Sequence, residues 1–302
     1  MDLGRAGAEA MTTSAFPAFA KGLCDDAAIF PPGLAPLAEA VPAHVRHVNS
    51  PYAELVGPLV VSAAALEELA GLVPVDGGDR LDLTVTVPDG PSAVPDVLTT
   101  VAALPVELRA LEVAVPADVT ATALVETLDA AGIDDAVEVF VEVPRDERRP
   151  DIIAALPSTR YKAKFRTGGI RAELYPDESE LAAAIKAVVD AGVPYKATAG
   201  LHHAIRNTDP ETGFEQHGFL NLLLATDAAV RGADADELVR ILAERDGSAI
   251  AERVAALPEQ RVAATRAAFR SFGTCSVSDP LTVMIELGLL PNSVSPTYER
   301  TV

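Results

Sequence analysis

Apolar and polar positions alternate with a period of two in a series of short segments. Leu81, Leu83, Val85 and Val87 point one way and Asp82, Thr84 and Thr86 the other. Leu111, Val113 and Val115 likewise oppose Glu112 and Ala114, and Val137, Val139, Val141 and Val143 oppose Glu138, Phe140 and Glu142. Farther along, Ala163 and Phe165 oppose Lys164 and Arg166, and Tyr195 and Ala197 oppose Lys196 and Thr198. Such alternation predicts extended strands. Three of the segments end in the phrase V-x-V-P, with Pro88, Pro116 and Pro144 spaced 28 residues apart. A strand, a loop and one helix fill about that length, so the repeat reads as successive βα units.

The same rhythm extends both ways. Further strands are predicted over 58–62, 161–167, 194–198 and 269–276, and helices over 63–72, 92–104, 118–131, 178–191 and 279–290. Segment 219–225 reads either as a strand or as a helix, and 231–265 reads as helices. Alternating strands and helices imply a parallel sheet with right-handed crossovers. In an open doubly wound sheet both faces lie under helices and strands are apolar throughout. Here the second face is small, polar or charged. A barrel interior supplies such a face, and its C-terminal mouth is where barrel enzymes place their chemistry. An antiparallel sheet with one solvated face would alternate too, but helix-length connections count against it. The expectation is an α/β protein, a (β/α)8 TIM-like barrel, incomplete or irregular where the late strands are hard to place. A helical extension over 1–57 would pack on a barrel over 58–302.

Composition narrows the partners. The chain has 302 residues, with Lys+Arg 24 against Asp+Glu 44 and a formal charge of −20. It is 49% hydrophobic and 23% charged, a globular composition with enough apolar residues for a large core. No basic cluster offers a nucleic-acid face, and the acidity disfavours an anionic membrane surface. No apolar run is long enough to cross a bilayer, and the N-terminus lacks the pattern of a signal peptide, so a cytoplasmic location is expected. Cys24 and Cys275 have no CxxC spacing and are expected as free thiols. No feature sets an oligomeric state. The expected partner is a small molecule.

Thr86, Glu112, Glu142, Lys164, Arg166, Lys196 and Thr198 would all lie near the barrel mouth. Acids and bases buried together persist only when paired. They form either a structural ion-pair network or a functional site, and several charges at a barrel mouth favour function. Lys164 and Lys196 occupy matching places on neighbouring strands. Two adjacent ammonium groups would depress one pKa and yield an amine able to form a Schiff base with a carbonyl. Lys196 is the expected amine, Lys164 its pKa partner, Arg166 an anion clamp, and Glu142 or His203 the proton carrier. Gly168, Gly169 and Gly200 follow these strands and would let backbone amides approach an anion, with Glu112 and Thr198 as further substrate contacts.

His202, His203 and His217 fall within sixteen residues after the 194–198 strand. They suggest substrate contacts, as does Asn221, one helical turn past His217. His203 and His217 with Glu142 or Glu112 could instead hold a divalent metal; no other cofactor is implied. His44 and His47 share a helix face and read as surface or packing residues. Asp25 and Asp26 read as a helix cap ahead of the Pro31-Pro32 turn. Cys275 has no evident histidine partner in sequence, which makes it a poor nucleophile.

The stretches 164–169 and 196–200, each a lysine followed by glycine, resemble those of Schiff-base aldolases of the deoxyribose-phosphate aldolase type. That resemblance implies a (β/α)8 barrel with lysines and Gly-rich turns on adjacent late strands, acting on a small anionic carbonyl compound as a lyase. More broadly, the blocks DDAAIFPP, KFRTGG, KATAGLHH, HGFLN and FGTCS resemble those of a bacterial family of uncharacterised proteins, from which no activity carries over. A metal-assisted isomerase or hydrolase, and a non-catalytic metabolite-binding barrel, are the alternatives.

Overall fold

The computed structural model describes residues 16–73 and 80–296. Eight parallel strands close into a barrel: β1 (Cys24–Asp26), β2 (Val56–Ser62), β3 (Leu81–Val87), β4 (Val106–Ala114), β5 (Glu138–Glu142), β6 (Lys162–Arg166), β7 (Tyr195–Thr198) and, after a small hairpin of β8 (Asn207–Thr208) and β9 (Glu215–Gln216), β10 (Phe269–Thr274). Strand neighbours follow chain order around the ring, and β10 closes it against β1. Helices join the strands, as the repeat predicts, including Ala121–Ala130 capped by the Thr120 hydroxyl and Glu178–Asp190 capped by Asp177.

The aliphatic parity of each strand packs outward. Leu83, Val85, Leu111, Val113, Val139, Val141, Ala163 and Ala197 are fully buried beneath the helices. The opposite parity fills the barrel, so Thr84, Glu112, Lys164 and Lys196 are buried too. No helix among the described residues is long and apolar enough to cross a membrane.

One expectation changes and one open reading is decided. Residues 24–26 are not part of a helical extension; they form the barrel's first strand, and the helix Leu37–Val48 is its crossover to β2. Asp25 and Asp26 therefore point to opposite sides, as strand neighbours must. Asp25 enters the barrel, while Asp26 accepts from His44 Nδ1 at 3.0 Å and from the Ala28 N–H at 3.3 Å. His44 is thus a buried packing residue, and His47 reaches the Tyr52 hydroxyl at 3.0 Å. The ambiguous segment after residue 218 is the helix Phe219–Val230. It is buried on all sides through Ala229, which is why it carries no amphipathic period. Three more helices, Ala235–Ala243, Gly247–Ala255 and Glu259–Ala268, separate it from β10.

Candidate active site

The inward parities place acids and bases in one alternating chain through the barrel. Asp25 Oδ2 accepts from Lys196 Nζ at 2.5 Å and from the Ser271 hydroxyl at 2.7 Å. Lys196 Nζ also donates to Glu112 Oε1. The other Glu112 oxygen meets Lys164 Nζ at 2.7 Å, and Lys164 Nζ meets Glu142 Oε2 at 2.8 Å. Glu142 Oε1 ends the chain on Arg166 Nε at 3.2 Å. Strand register explains the convergence: Glu142 is level with Lys164, Lys164 with Lys196, and Arg166 with Thr198. Three carboxylates and three cations leave the cluster formally neutral.

This arrangement overturns the premise that the two lysines depress each other. Glu112 stands between them. Burial works against the ammonium of Lys164, but Glu112 and Glu142 outweigh it and raise its pKa. Lys196 is raised by Asp25 and Glu112 in the same way, again against burial. Burial alone would raise Glu112, yet Lys164 and Lys196 hold it down at about 2. Glu142 is lowered for the same reason, by Lys164 and then Arg166 overcoming burial. All four groups are locked in their charged forms around neutrality.

A cavity of about 380 Å³ opens at the C-terminal ends of the strands. Lys164, Glu112, Glu142, Arg166, Thr198 and His202 line it, with Thr86 and Gly169, as do the apolar side chains of Phe30, Val60 and Leu174. Lys196 does not. It is 1% exposed, and its side chain faces a separate pocket toward the opposite end of the barrel with Asp25, Thr84, Phe140 and Ser271. The Lys196 ammonium lies 5.2 Å from the Phe140 ring centre.

The loops after β6 and β7 shape the cavity's rim. Ala199 and Gly200 both take left-handed backbone angles, φ 63° and 73°. Gly168 and Gly200 are pressed together under Tyr175: a Cβ on Gly168 would lie 2.6 Å from Tyr175 Cε1 and 2.9 Å from Gly200 Cα. Among the described residues, the N–H groups of Gly168, Gly169, Ala199 and Gly200 donate to no protein carbonyl. Left-handed turns with unspent amides favour anions.

The histidines do not gather. His203 is exposed and does not line the cavity. His217 is fully buried with its Nε2 N–H donating to Pro176 O at 2.8 Å, and burial lowers its pKa to about 4. Asn221 is a structural clasp, accepting from the Arg206 N–H at 2.9 Å and donating to Ile241 O and Glu244 O at 2.8 Å each. Among the described residues, no three His, Cys, Asp or Glu side chains are placed to share a metal ion. Glu112 and Glu142, the acids expected to join His203 and His217, are instead spoken for by the lysines.

His202 is different, because it lies on the cavity wall with its Nδ1 3.5 Å from Cys275 Sγ. Cys275 therefore has the histidine partner that the sequence did not reveal; the two are 73 residues apart. Asp25 and Ser271 are the other members that sequence reasoning missed. Both cysteines are free thiols.

No protein-family model matches the chain, and no curated protein matches it. Among solved structures it aligns with the crystal structure of a candidate deoxyribose-phosphate aldolase from Toxoplasma gondii ME49, at 13% identity and a TM-score of 0.39, over 96% of each chain. At that similarity the likeness carries no weight, and the barrel stands on its own strand pairing.

Proposed function

We propose that the chain is a Schiff-base lyase of the aldolase type, acting on a small anionic carbonyl compound, with Lys164 as the amine. The observation that carries this reading is the placement of Lys164 Nζ on the wall of the mouth cavity between two glutamates, 2.7 and 2.8 Å away. Lys196, the amine favoured by sequence position alone, is walled off by Asp25 and Glu112 and serves to hold Glu112 in place.

The paired glutamates have a chemical consequence. An amine must lose a proton before its lone pair attacks a carbonyl, and the raised pKa of Lys164 makes that form scarce at neutral pH. The C–N bond then forms, the carbonyl oxygen leaves as water, and the product is a cationic iminium on the same nitrogen. Glu112 and Glu142 stabilise that cation as they stabilise the ammonium it replaces. They favour the iminium over a neutral imine, and the iminium is the form that withdraws electrons from a neighbouring C–C or C–H bond. Among the described residues Arg166 commits only its Nε, to Glu142, which leaves its outer N–H groups for the substrate's anion, together with the amides of the β6 and β7 loops.

Reductive trapping tests this reading. The protein is incubated with pyruvate or dihydroxyacetone phosphate and reduced with borohydride, and the modified peptide is mapped by mass spectrometry. The expected adduct is on Lys164 and is absent in Lys164→Met. An adduct on Lys196, or none with either probe, would overturn the assignment.

A further inference from the structure

We infer that His202 is the proton carrier of this site and that Cys275 is its positioning residue. The inference rests on the Schiff-base reading and adds the group that moves protons within it. Lyase chemistry on an iminium needs a base to take a proton from the substrate and an acid to return one. Of the ionisable groups lining the cavity, Glu112 and Glu142 are held ionised by Lys164, and Lys164 is held protonated by them. A guanidinium, the group Arg166 contributes, is a permanent cation and no proton carrier. None of these four exchanges protons readily near neutrality. Among the described residues, His202 is the remaining nitrogen base on the wall, and burial lowers its pKa, so the ring is neutral at pH 7.

The fold fixes this ring over the mouth. The left-handed pair Ala199–Gly200 turns the chain sharply after β7, and the packing of Gly200 on Gly168 and Tyr175 leaves the turn no slack. On the other side, Cys275 leaves the end of β10 and is pinned by the loop after β1. A Cβ on Gly33 would lie 3.0 Å from Cys275 Cβ and 2.9 Å from Ala28 O. The Cys275 thiol is pushed up by burial and stays protonated, so thiol and imidazole meet as a neutral pair. Other charges acting on the pair are Asp279 and Asp209, which favour a proton on His202, His203, which opposes one, and Asp26, which with Asp279 keeps the thiol protonated.

The proton balance closes without a co-reactant beyond water. With Nδ1–H directed to Cys275 Sγ, Nε2 of His202 is free to accept the proton of a substrate hydroxyl. The C–C bond then breaks, and its electron pair moves into the iminium to give an enamine. The imidazolium returns the same proton to the enamine carbon, the iminium is restored, and water hydrolyses it to release the product and Lys164.

The experiment measures exchange and trapping side by side. Wild-type, His202→Gln and Cys275→Ala are incubated with pyruvate in D2O, and deuterium entry at the carbon next to the carbonyl is followed by NMR. Borohydride trapping at Lys164 is measured on the same samples. His202→Gln should trap Lys164 as the wild type does, which also shows that it is folded, yet exchange deuterium at least a hundredfold more slowly. Cys275→Ala should keep trapping and lose several-fold in exchange, with the acid limb of its pH–rate profile displaced from that of the wild type. In the wild type that limb should lie below the ordinary histidine range, because burial disfavours the imidazolium. Wild-type exchange in His202→Gln with intact trapping would overturn the inference alone, whereas loss of trapping in the wild type would remove the Schiff-base reading beneath it.

Discussion

Glu112→Gln removes the carboxylate shared by the two barrel lysines and leaves the packing volume unchanged. Its effect on stability can be worked from the site. A carboxyl held at about 2 rather than near 4.3 has its ionised form favoured by about 3 kcal/mol in the folded state. Breaking a buried ion pair by removing one partner costs about 3–5 kcal/mol. The glutamine oxygen still accepts from one lysine, and Asp25 and Glu142 remain as partners, so the lower end, about 3 kcal/mol, is expected. With a urea dependence of about 3 kcal/mol per molar, the unfolding midpoint should fall by roughly 1 M at pH 7. The sign with pH is fixed. The folded-state pKa of Glu112 is depressed, so its contribution is full above its unfolded value near 4.3 and disappears as pH falls through about 2. Urea midpoints of wild type and variant should therefore differ most at pH 5–7 and converge only below about pH 2. A midpoint at pH 7 within about 0.3 M of the wild type would refute the claim that this carboxylate anchors the cluster.

Three other outcomes follow from the same geometry. Lys196→Met should destabilise the fold by about 3–5 kcal/mol, because it leaves buried Asp25 with the Ser271 hydroxyl but no cation and Glu112 with Lys164 alone, yet leave borohydride trapping at Lys164 detectable. In the wild type, the trapping rate should climb about tenfold per pH unit from pH 6 to 9, since the free amine of a lysine with a raised pKa does so; a flat profile would contradict the locked ammonium. Asn221→Ala should cost about 1–3 kcal/mol in chemical denaturation by leaving the Arg206 N–H and two carbonyls unpaired, with trapping unchanged.

Much of the barrel was legible because two physical signals coincide. Valine and leucine on one parity mark the surface under the helices, and charged residues on the other mark the interior, so the sequence alone places Glu112, Glu142, Lys164, Arg166 and Lys196 together. β1 was not legible. A strand of three residues, Cys24-Asp25-Asp26, is too short to show a period, and two adjacent acids look like a helix cap until a buried lysine is known to face one of them. The difference between the two lysines was hidden for another reason. They share a register position on adjacent strands, but which one borders solvent depends on how the closed ring seats Asp25 and Glu112 around Lys196. Clustering in sequence also misled for the histidines. Residues 202, 203 and 217 belong to one loop and hairpin whose backbone sends them respectively to the cavity, to the surface and into the core.

The proposed chemistry requires that Lys164, and not Lys196, present its nitrogen to the mouth. A crystal structure of protein reduced with borohydride in the presence of pyruvate tests it most directly. Continuous density is expected from Lys164 Nζ into the cavity, with the carboxylate toward Arg166 and the Lys196 ammonium still between Asp25 and Glu112. Density joined to Lys196, or an unmodified Lys164 in protein whose bulk mass shows one adduct, would contradict it.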